Sequence, residues 1–379
     1  MILLLKLSFF QIKSRGFADK IPPSSHPLCV TVPGSAAGWC ALREKYGSGR
    51  FSLSELFQPA VDLAENGIPL PEASAILWSQ YGQTIIKEGY DFPATFLDPD
   101  TGKWPKAGKI YKNPDLANTY KILGQEGRDG FYTGKIAKKI ADSVKKAGGL
   151  ITTKDLEAYT CKWVEPLSVS YTSKRNGLKY KIWENPMSSQ ALVTLESLKI
   201  LENCETSAFH TIKNAEYHHL VLEALKLSFE DLFNLWSDAK NGNFATGQNL
   251  IQNKHAIMRA ALINPEIALN LGNHNDHVID IGGDTTFFSV TDTYGNACSV
   301  VYSNLAGFGT SIVPEGCGFS LHNRGHQIWS HGQSQFAPNV RSFSSLCVGL
   351  ITTEDGNSPE FLSTLGVMGG PNQPQGHLQ

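Results

Sequence analysis

A change of residue pattern at Asp284 constrains the fold of this chain most. Before it, apolar residues recur at helical spacing, as in Tyr217, Leu220, Val221 and Ala224. After it, short runs of β-branched and aromatic residues are divided by Gly and Asn, which is typical of strands. Helices first and strands afterwards predict an α+β fold with helices layered on antiparallel sheets.

Local signals predict individual elements. We expect helices over Leu53 to Glu65 and Gly134 to Lys146, the second with a solvated lysine face. The sequence predicts that Thr152 is a helix N-cap with Asp155 as its acidic partner. Thr285 to Asp292 and Ala297 to Asn304 read as the two strands of a hairpin around a Tyr-Gly-Asn turn. This register sets Thr285 opposite about Ser303.

Composition excludes several functional classes. The formal net charge of the 379 residues is −2, so nothing favours nucleic acid or an anionic membrane as a partner. The apolar start, Met1 to Phe10, is shorter than the roughly 20 residues needed to span a bilayer, and no small-residue cleavage site follows it, so we expect a truncated start rather than the core of a weak signal peptide. Seven scattered cysteines without a C-x-x-C pair argue against a disulfide framework or zinc module. We therefore expect a cytoplasmic protein.

The segment Gly282-Gly283-Asp284-Thr285-Thr286 carries the strongest chemical signal. Two glycines place flexible backbone just before a hydroxyl residue that begins a strand. Attack of the Thr285 hydroxyl on the Asp284 carbonyl would give an ester, whose hydrolysis frees the α-amine of Thr285. That amine, with an ordinary pKa near 8, can serve as the base for its own hydroxyl. The alternative is a plain turn entering a strand.

Two further features fit this chemistry. Ser303, across the hairpin, can hydrogen-bond the Thr285 hydroxyl, although such a pair is usually only a sheet contact. Gly369-Gly370 follows an apolar run and can present two N–H groups to an oxyanion, although two glycines also form an ordinary turn.

Other candidate metal sites and catalytic motifs in the sequence are weaker. His274 and His277 lie in a polar stretch without a third ligand at standard spacing, which favours a loop over a metal site. His218 and His219 fall at the edge of an amphipathic helix. The chain has no Walker lysine motif, H-E-x-x-H or G-x-S-x-G. We expect neither a metal nor an organic cofactor.

Several runs resemble one family in the same order along the chain. G-D-T-T-F-F-S-V-T-D-T-Y-G-N-A-C-S (Gly283 to Ser299) closely resembles the start of the small subunit of γ-glutamyltranspeptidases. Upstream, V-T-V-P-G-S-A-A-G-W (Val30 to Trp39), G-F-Y-T-G-K-I-A (Gly130 to Ala137) and G-G-L-I-T-T-K-D-L (Gly148 to Leu156) match as well.

The resemblance implies an αββα Ntn-hydrolase sandwich, made as a proenzyme and cut between Asp284 and Thr285. Residues 1–284 would form the large subunit and residues 285–379 the small one, together a single domain. Thr285 would be the nucleophile, and Asn304 stands one place from the family's asparagine. The other carried-over positions are the supporting residue Ser303, the oxyanion glycines Gly369 and Gly370, and the carboxylate-binding serines Ser344 and Ser345.

The sequence departs from the family at positions that would bind the substrate and at both ends of the chain. Where true transpeptidases bind the substrate α-amine with Gln and Asp after an Asn-Asn pair, this chain reads His-Asn-Arg-Gly-His-Gln. Arg324 would favour a carboxylate or oxo group, or would only tie down its loop. The Asn-Arg-Gly run resembles the branch of the family that includes oxamate-type amidohydrolases. The family's first segment, with a carboxylate-binding arginine, and its last helix and strands have no match, so we expect an incomplete chain.

These observations predict a self-processing amidohydrolase or acyltransferase that acts on γ-glutamyl or similar small amides through an acyl-Thr285 ester. The second hypothesis is an inactive family member that serves as a scaffold or binds a metabolite. A metal-dependent peptidase comes third. Hydrolysis and transfer are not separated by the sequence.

Overall fold

The structure is a computed structural model that describes residues 22–186, 189–204, 213–237, 245–271, 284–327, 344–354 and 359–379. These residues divide between two compact units. The first unit contains the described residues up to 162 and the segment 304–327. The second contains those from 163 to 303 and from 344 onwards. Among the described residues, no helix is long and apolar enough to cross a membrane.

The first unit is mainly helical. Its helices are α1 (Ser35–Tyr46), α2 (Leu53–Asn66), α3 (Glu72–Lys87), α4 (Pro114–Tyr132), α5 (Lys135–Lys146) and α6 (Thr153–Glu157). Two short strands, β1 (Ile68–Pro69) and β2 (Ile110–Tyr111), pair antiparallel. The predicted helices at Leu53 and Gly134 are confirmed, and so is the N-cap: Thr152 and Asp155 form a capping box at the start of α6.

The core of the first unit gathers the upstream motifs. Val32 and Ala36, from the Val-Pro-Gly run and the start of α1, pack with Tyr132, Ile136 and Leu156 in one buried cluster. The Tyr132 hydroxyl donates to the Pro33 carbonyl at 2.6 Å. These runs, distant in sequence, therefore meet because each contributes its apolar face to the same core.

The second unit combines helices with two sheets. Its helices are α7 (Ala191–Glu202), α8 (Ala215–Ser237), α9 (Ala245–Leu250), α10 (Asn253–Ala260) and α11 (Gln373–Leu378). Its strands are β3 (Leu167–Thr172), β4 (Lys179–Glu184), β5 (Asp284–Thr291), β6 (Ala297–Leu305), β7 (Gly349–Thr353) and β8 (Phe361–Leu365), although the last two residues of β6 are assigned to the first unit. The apolar positions predicted to be buried on α8, including Leu220, Val221 and Ala224, lie in its core.

One sheet has four strands in the order β3-β4-β7-β8, all antiparallel. Ile182 of β4 pairs with Val169 on one side and Ile351 on the other. Strands β3 and β4 were not predicted, because helical signals dominate the first two thirds of the sequence. Lysines and other polar residues in these strands hide the alternation that places Val169 and Ile182 in the core.

The predicted hairpin is present as β5 and β6, which form a separate two-stranded sheet. The Asp292 carboxylate closes the turn by accepting the N–H groups of Tyr294 and Asn296, each at 2.9 Å. Gly295 takes the positive φ of 82° that this turn requires. The hairpin places Asp284 and Thr285 at the beginning of β5, next to the end of β6.

Candidate functional site

The junction between Asp284 and Thr285 lies inside the second unit. Thr285 is 2% exposed, and burial raises the pKa of the Asp284 carboxyl. The Ser303 hydroxyl donates a hydrogen bond to the carbonyl oxygen of Asp284. That oxygen belongs to the peptide bond that the Thr285 hydroxyl would attack, so Ser303 polarises the bond predicted to break. The expected hydrogen bond between Ser303 and the Thr285 hydroxyl stays a prediction.

A buried glutamine without any sequence signature contacts the Thr285 hydroxyl. Gln373, at the start of α11, donates from Nε2 to Thr285 Oγ1 at 3.3 Å. Its Oε1 accepts the Cys347 N–H at 2.8 Å. Gln373 thus joins the strand that carries Thr285 to the segment that follows the paired serines. One glutamine after a glycine pair has no distinctive pattern, so only the folded chain shows this contact.

The glycine pair adopts a conformation that other residues rarely take. Gly369 has a φ of 133° and Gly370 a φ of 55°. Neither N–H of the pair donates to an acceptor among the residues that the structure describes. Gly370 is buried, and its carbonyl accepts a hydrogen bond from Gln190 Nε2 at 2.5 Å. This backbone geometry suits the oxyanion-binding role that the sequence predicts for the pair.

The paired serines lie close to the glycine pair. Gln190 Nε2 also donates to the Ser345 carbonyl at 2.7 Å, so one side chain joins Ser345 to Gly370. Ser344 forms a parallel bridge with Ser189, and its Oγ accepts the Leu346 N–H at 3.3 Å. Gln190 is a second residue of the site that the sequence pattern does not predict.

Two predicted substrate-binding residues belong to the first unit. The Asn304 carbonyl accepts the Asn323 N–H at 3.0 Å. Arg324 is buried and donates from Nη1 to Gln327 Oε1 at 3.1 Å, which agrees with the interpretation that it ties down its own loop. Burial lowers the pKa of Arg324 to about 9. Thr285, Ser303, Gly369, Gly370, Ser344 and Ser345 all lie in the second unit.

The sequence predicts no metal site. His274 and His277 lie outside the described residues. Within the described part of the chain, Glu196, Asp231 and His255 place one ligand atom each within 4.8 Å of one another. However, Arg259 already binds both oxygens of Asp231, and its Nε lies 2.6 Å from Oδ2. We interpret this cluster as a buried ion-pair network that joins α7, α8 and α10.

The pKa values of the two carboxyl groups in the network, Glu196 and Asp231, are shifted in opposite directions. Burial, reinforced by the neighbouring Asp231, raises the pKa of Glu196 well above its ordinary value. Burial would also raise the pKa of Asp231, but contacts with Arg259, Glu196 and His255 outweigh it and lower that pKa. Glu196 therefore remains protonated at pH values at which Asp231 is ionised.

Comparison with known proteins shows similarity over nearly the whole chain. The family model described as "Gamma-glutamyltranspeptidase" matches residues 5–379. The glutathione hydrolase-like YwrD proenzyme of Bacillus subtilis (strain 168) is 28% identical over 359 residues, which cover 94% of this chain and 64% of that protein. The acylase ACY 1 proenzyme of Pseudomonas sp. (strain SE83) is 30% identical over 325 residues, covering 84% of this chain and 55% of that protein. The chain thus spans less than two thirds of the length of these relatives.

Solved structures agree with the sequence similarity. Cephalosporin acylase from Bacillus halodurans superposes with a TM-score of 0.82 at 27% identity, covering all of this chain and 66% of that one. The γ-glutamyltranspeptidase of Helicobacter pylori gives a TM-score of 0.59 at 28% identity, covering 66% of this chain and 70% of that one. The predicted fold class, the αββα sandwich of the Ntn-hydrolases, is confirmed by these structures.

Proposed function

Because the chain belongs to the γ-glutamyltranspeptidase family, we propose that it is a self-processing amidohydrolase or acyltransferase whose nucleophile is Thr285. The observation that supports this most is the hydrogen bond from Ser303 to the Asp284 carbonyl. It places a donor on the oxygen that gains charge when the neighbouring hydroxyl attacks.

The first step is self-cleavage. Thr285 Oγ1 attacks the Asp284 carbonyl carbon, the C–N bond breaks, and the hydroxyl proton ends on the released amine. The product is an ester between Asp284 and Thr285. Water then hydrolyses the ester, which leaves a carboxylate on Asp284 and a free α-amine and hydroxyl on Thr285. Residues 1–284 and 285–379 become the large and small subunits, which stay together.

The second step uses the new N-terminus. The Thr285 α-amine takes the proton of its own hydroxyl, Oγ1 attacks the carbonyl carbon of an amide substrate, and the protonated leaving amine departs. The N–H groups of Gly369 and Gly370 bind the oxyanion of the tetrahedral intermediate. Water or an acceptor amine then takes the acyl group from Oγ1, which gives hydrolysis or transfer. No metal or organic cofactor enters either step.

The proposed substrate is a γ-glutamyl compound or a similar small amide with an anionic group. Two of the similar proteins are named as a glutathione hydrolase-like proenzyme and an acylase, so both substrate classes belong in a test. We propose Ser344 and Ser345 as ligands of the substrate carboxylate, and Asn304 and Arg324 as further substrate-binding residues. All seven cysteines are free thiols, which agrees with the cytoplasm as the proposed location.

Trapping the acyl-enzyme tests this function. The cleaved protein would be mixed with γ-glutamyl-p-nitroanilide, or with a glutaryl or oxalyl anilide, quenched in acid and examined by peptide mass mapping. We expect the peptide that begins with Thr285 to gain the mass of one acyl group with one of the substrates. The Thr285→Ala variant is the control. Turnover without any acyl group on the Thr285 peptide, or with equal labelling of the control, would contradict the mechanism.

A further inference from the structure

We propose that Gln373 is a further catalytic residue: its side-chain amide holds the Thr285 hydroxyl and stabilises the negative charge that develops on Oγ1 during attack. This inference rests on the proposed role of Thr285 as nucleophile. Its direct support is the hydrogen bond of 3.3 Å from Gln373 Nε2 to Thr285 Oγ1, in a place where both side chains are buried.

The orientation of the amide follows from its other contact. Gln373 Oε1 lies 2.8 Å from the backbone nitrogen of Cys347. A backbone N–H can only donate, so the group that faces Cys347 must be the amide oxygen. The NH₂ group therefore faces Thr285, and the hydroxyl oxygen accepts. The hydroxyl proton remains available to a base on another side of Oγ1.

The helix that carries Gln373 is fixed at several points. His377, one turn later on α11, contacts Glu184 of β4 through Nδ1 at 2.6 Å, and both side chains are buried. Thr194 of α7 donates to the Pro374 carbonyl at 3.4 Å. These contacts hold α11 against the four-stranded sheet and α7. The amide consequently cannot drift from Thr285 without breaking buried polar contacts, each of which is costly to lose.

The size of the expected effect follows from what the amide does. A donor to an oxygen that gains charge in the transition state contributes more there than in the ground state. Removing one such donor costs about 10²- to 10³-fold in the best-placed cases. The length of this bond suggests the lower part of the range, so we expect a loss of roughly 10- to 100-fold in the rate of self-cleavage.

Two substitutions separate this role from a structural one. Gln373→Met keeps the approximate size and removes the donor at every pH. Gln373→Glu is nearly isosteric, and only its protonated form carries an O–H that can donate to Thr285 Oγ1. Gln375→Glu makes the same change two residues further along α11, on a partly exposed side chain, and is the matched control.

The experiment follows self-cleavage of the full chain by intact-mass analysis from about pH 5 to about pH 8. Circular dichroism would establish that each variant is folded. We expect both Gln373 variants to cleave roughly 10- to 100-fold more slowly than wild type at the upper pH, and Gln375→Glu to cleave at the wild-type rate. As pH falls, the Gln373→Glu rate relative to wild type should rise, while the Gln373→Met ratio stays constant.

Each contrary result has its own meaning. A folded Gln373→Met chain that cleaves as fast as wild type overturns the role of Gln373 alone. The same holds for a Gln373→Glu deficit that does not change with pH. A wild-type chain that never cleaves overturns the proposed function, and the role of Gln373 falls with it.

Discussion

Ser303 and Asp284 are joined by a hydrogen bond from the serine hydroxyl to the peptide carbonyl that precedes Thr285. The hairpin turn creates this contact, because Asp284 begins β5 and Ser303 lies near the end of β6. Under the proposed mechanism, the contact gives Ser303 a role in the uncut chain, since it acts on the bond that is proposed to break. Substituting Ser303 therefore offers a way to distinguish effects on self-cleavage from effects on later catalysis.

Replacing Ser303 with alanine should slow self-cleavage by roughly 10- to 100-fold, because the attacked carbonyl loses its donor. The rate would be measured from the appearance of the two fragments by mass spectrometry. Ser299→Ala is the matched control on the same strand, where the hydroxyl donates to the Leu365 carbonyl at 3.3 Å. Equal rates for the two variants would contradict a role for Ser303 in cleavage.

Replacing Gly369 with alanine should reduce substrate turnover by about 100-fold or more, because a side chain at a φ of 133° forces the backbone to move and turns the oxyanion-binding N–H groups away. Gly295→Ala provides the control, since Gly295 has a φ of 82° in the hairpin turn and open space around it. Both changes should cost about 1–2 kcal/mol of unfolding free energy. Turnover by Gly369→Ala that matches Gly295→Ala would exclude the glycine pair from the site.

The ion-pair network predicts a pH effect on stability. The folded-state pKa of Glu196 is raised, so the stability it contributes is fully present below the unfolded-state pKa and is lost as pH rises through the folded-state value. Gln at this position keeps an oxygen for His255 Nε2, which lies 3.0 Å from Glu196 Oε1, and does not ionise. Glu196→Gln should therefore gain stability relative to wild type as pH rises.

Urea unfolding at a series of pH values above the ordinary glutamate pKa of 4.5 measures this difference. The control is Glu266→Gln, an exposed carboxyl in the same unit, whose stability should follow the wild-type curve. A difference between Glu196→Gln and wild type that is constant over the series would show that Glu196 is ionised throughout, and the proposed proton balance would then be wrong.

The predictable parts of the fold are those set by local chemistry. The hairpin from Thr285 to Asn304 was predictable because Asp292 and Gly295 specify its turn. The strands β3 and β4 were not, since β4 carries lysines and gains its place in the sheet from a partner far along the chain, through Ile182 and Ile351. Side-chain pattern alone cannot reveal such a pairing.

The same distinction applies to the candidate site. Thr285, Ser303 and the glycine pair could be proposed from the sequence, because each stands in a run with a chemical or family signature. Gln373 and Gln190 could not be proposed in this way, because their contacts are with residues distant in sequence, such as Thr285 and Ser345.

A close contact between the backbone and an aromatic ring positions the segment that precedes the glycine pair. A Cβ on Gly366 would lie 1.9 Å from the Phe287 ring, so only glycine allows the segment after β8 to pass β5. Thr364 Oγ1 also donates to Ser289 Oγ at 3.0 Å. These contacts bring the segment that leads to Gly369 against the strand that begins with Thr285.

Intact-mass analysis of the purified wild-type chain beside the Thr285→Ala variant tests the central claim most directly. We predict that the folded wild type separates into fragments 1–284 and 285–379, and that the variant remains whole because it lacks the attacking hydroxyl. A folded wild-type chain that stays intact, or a variant that is cut at the same bond, would contradict Thr285 as the residue that carries out self-cleavage and catalysis.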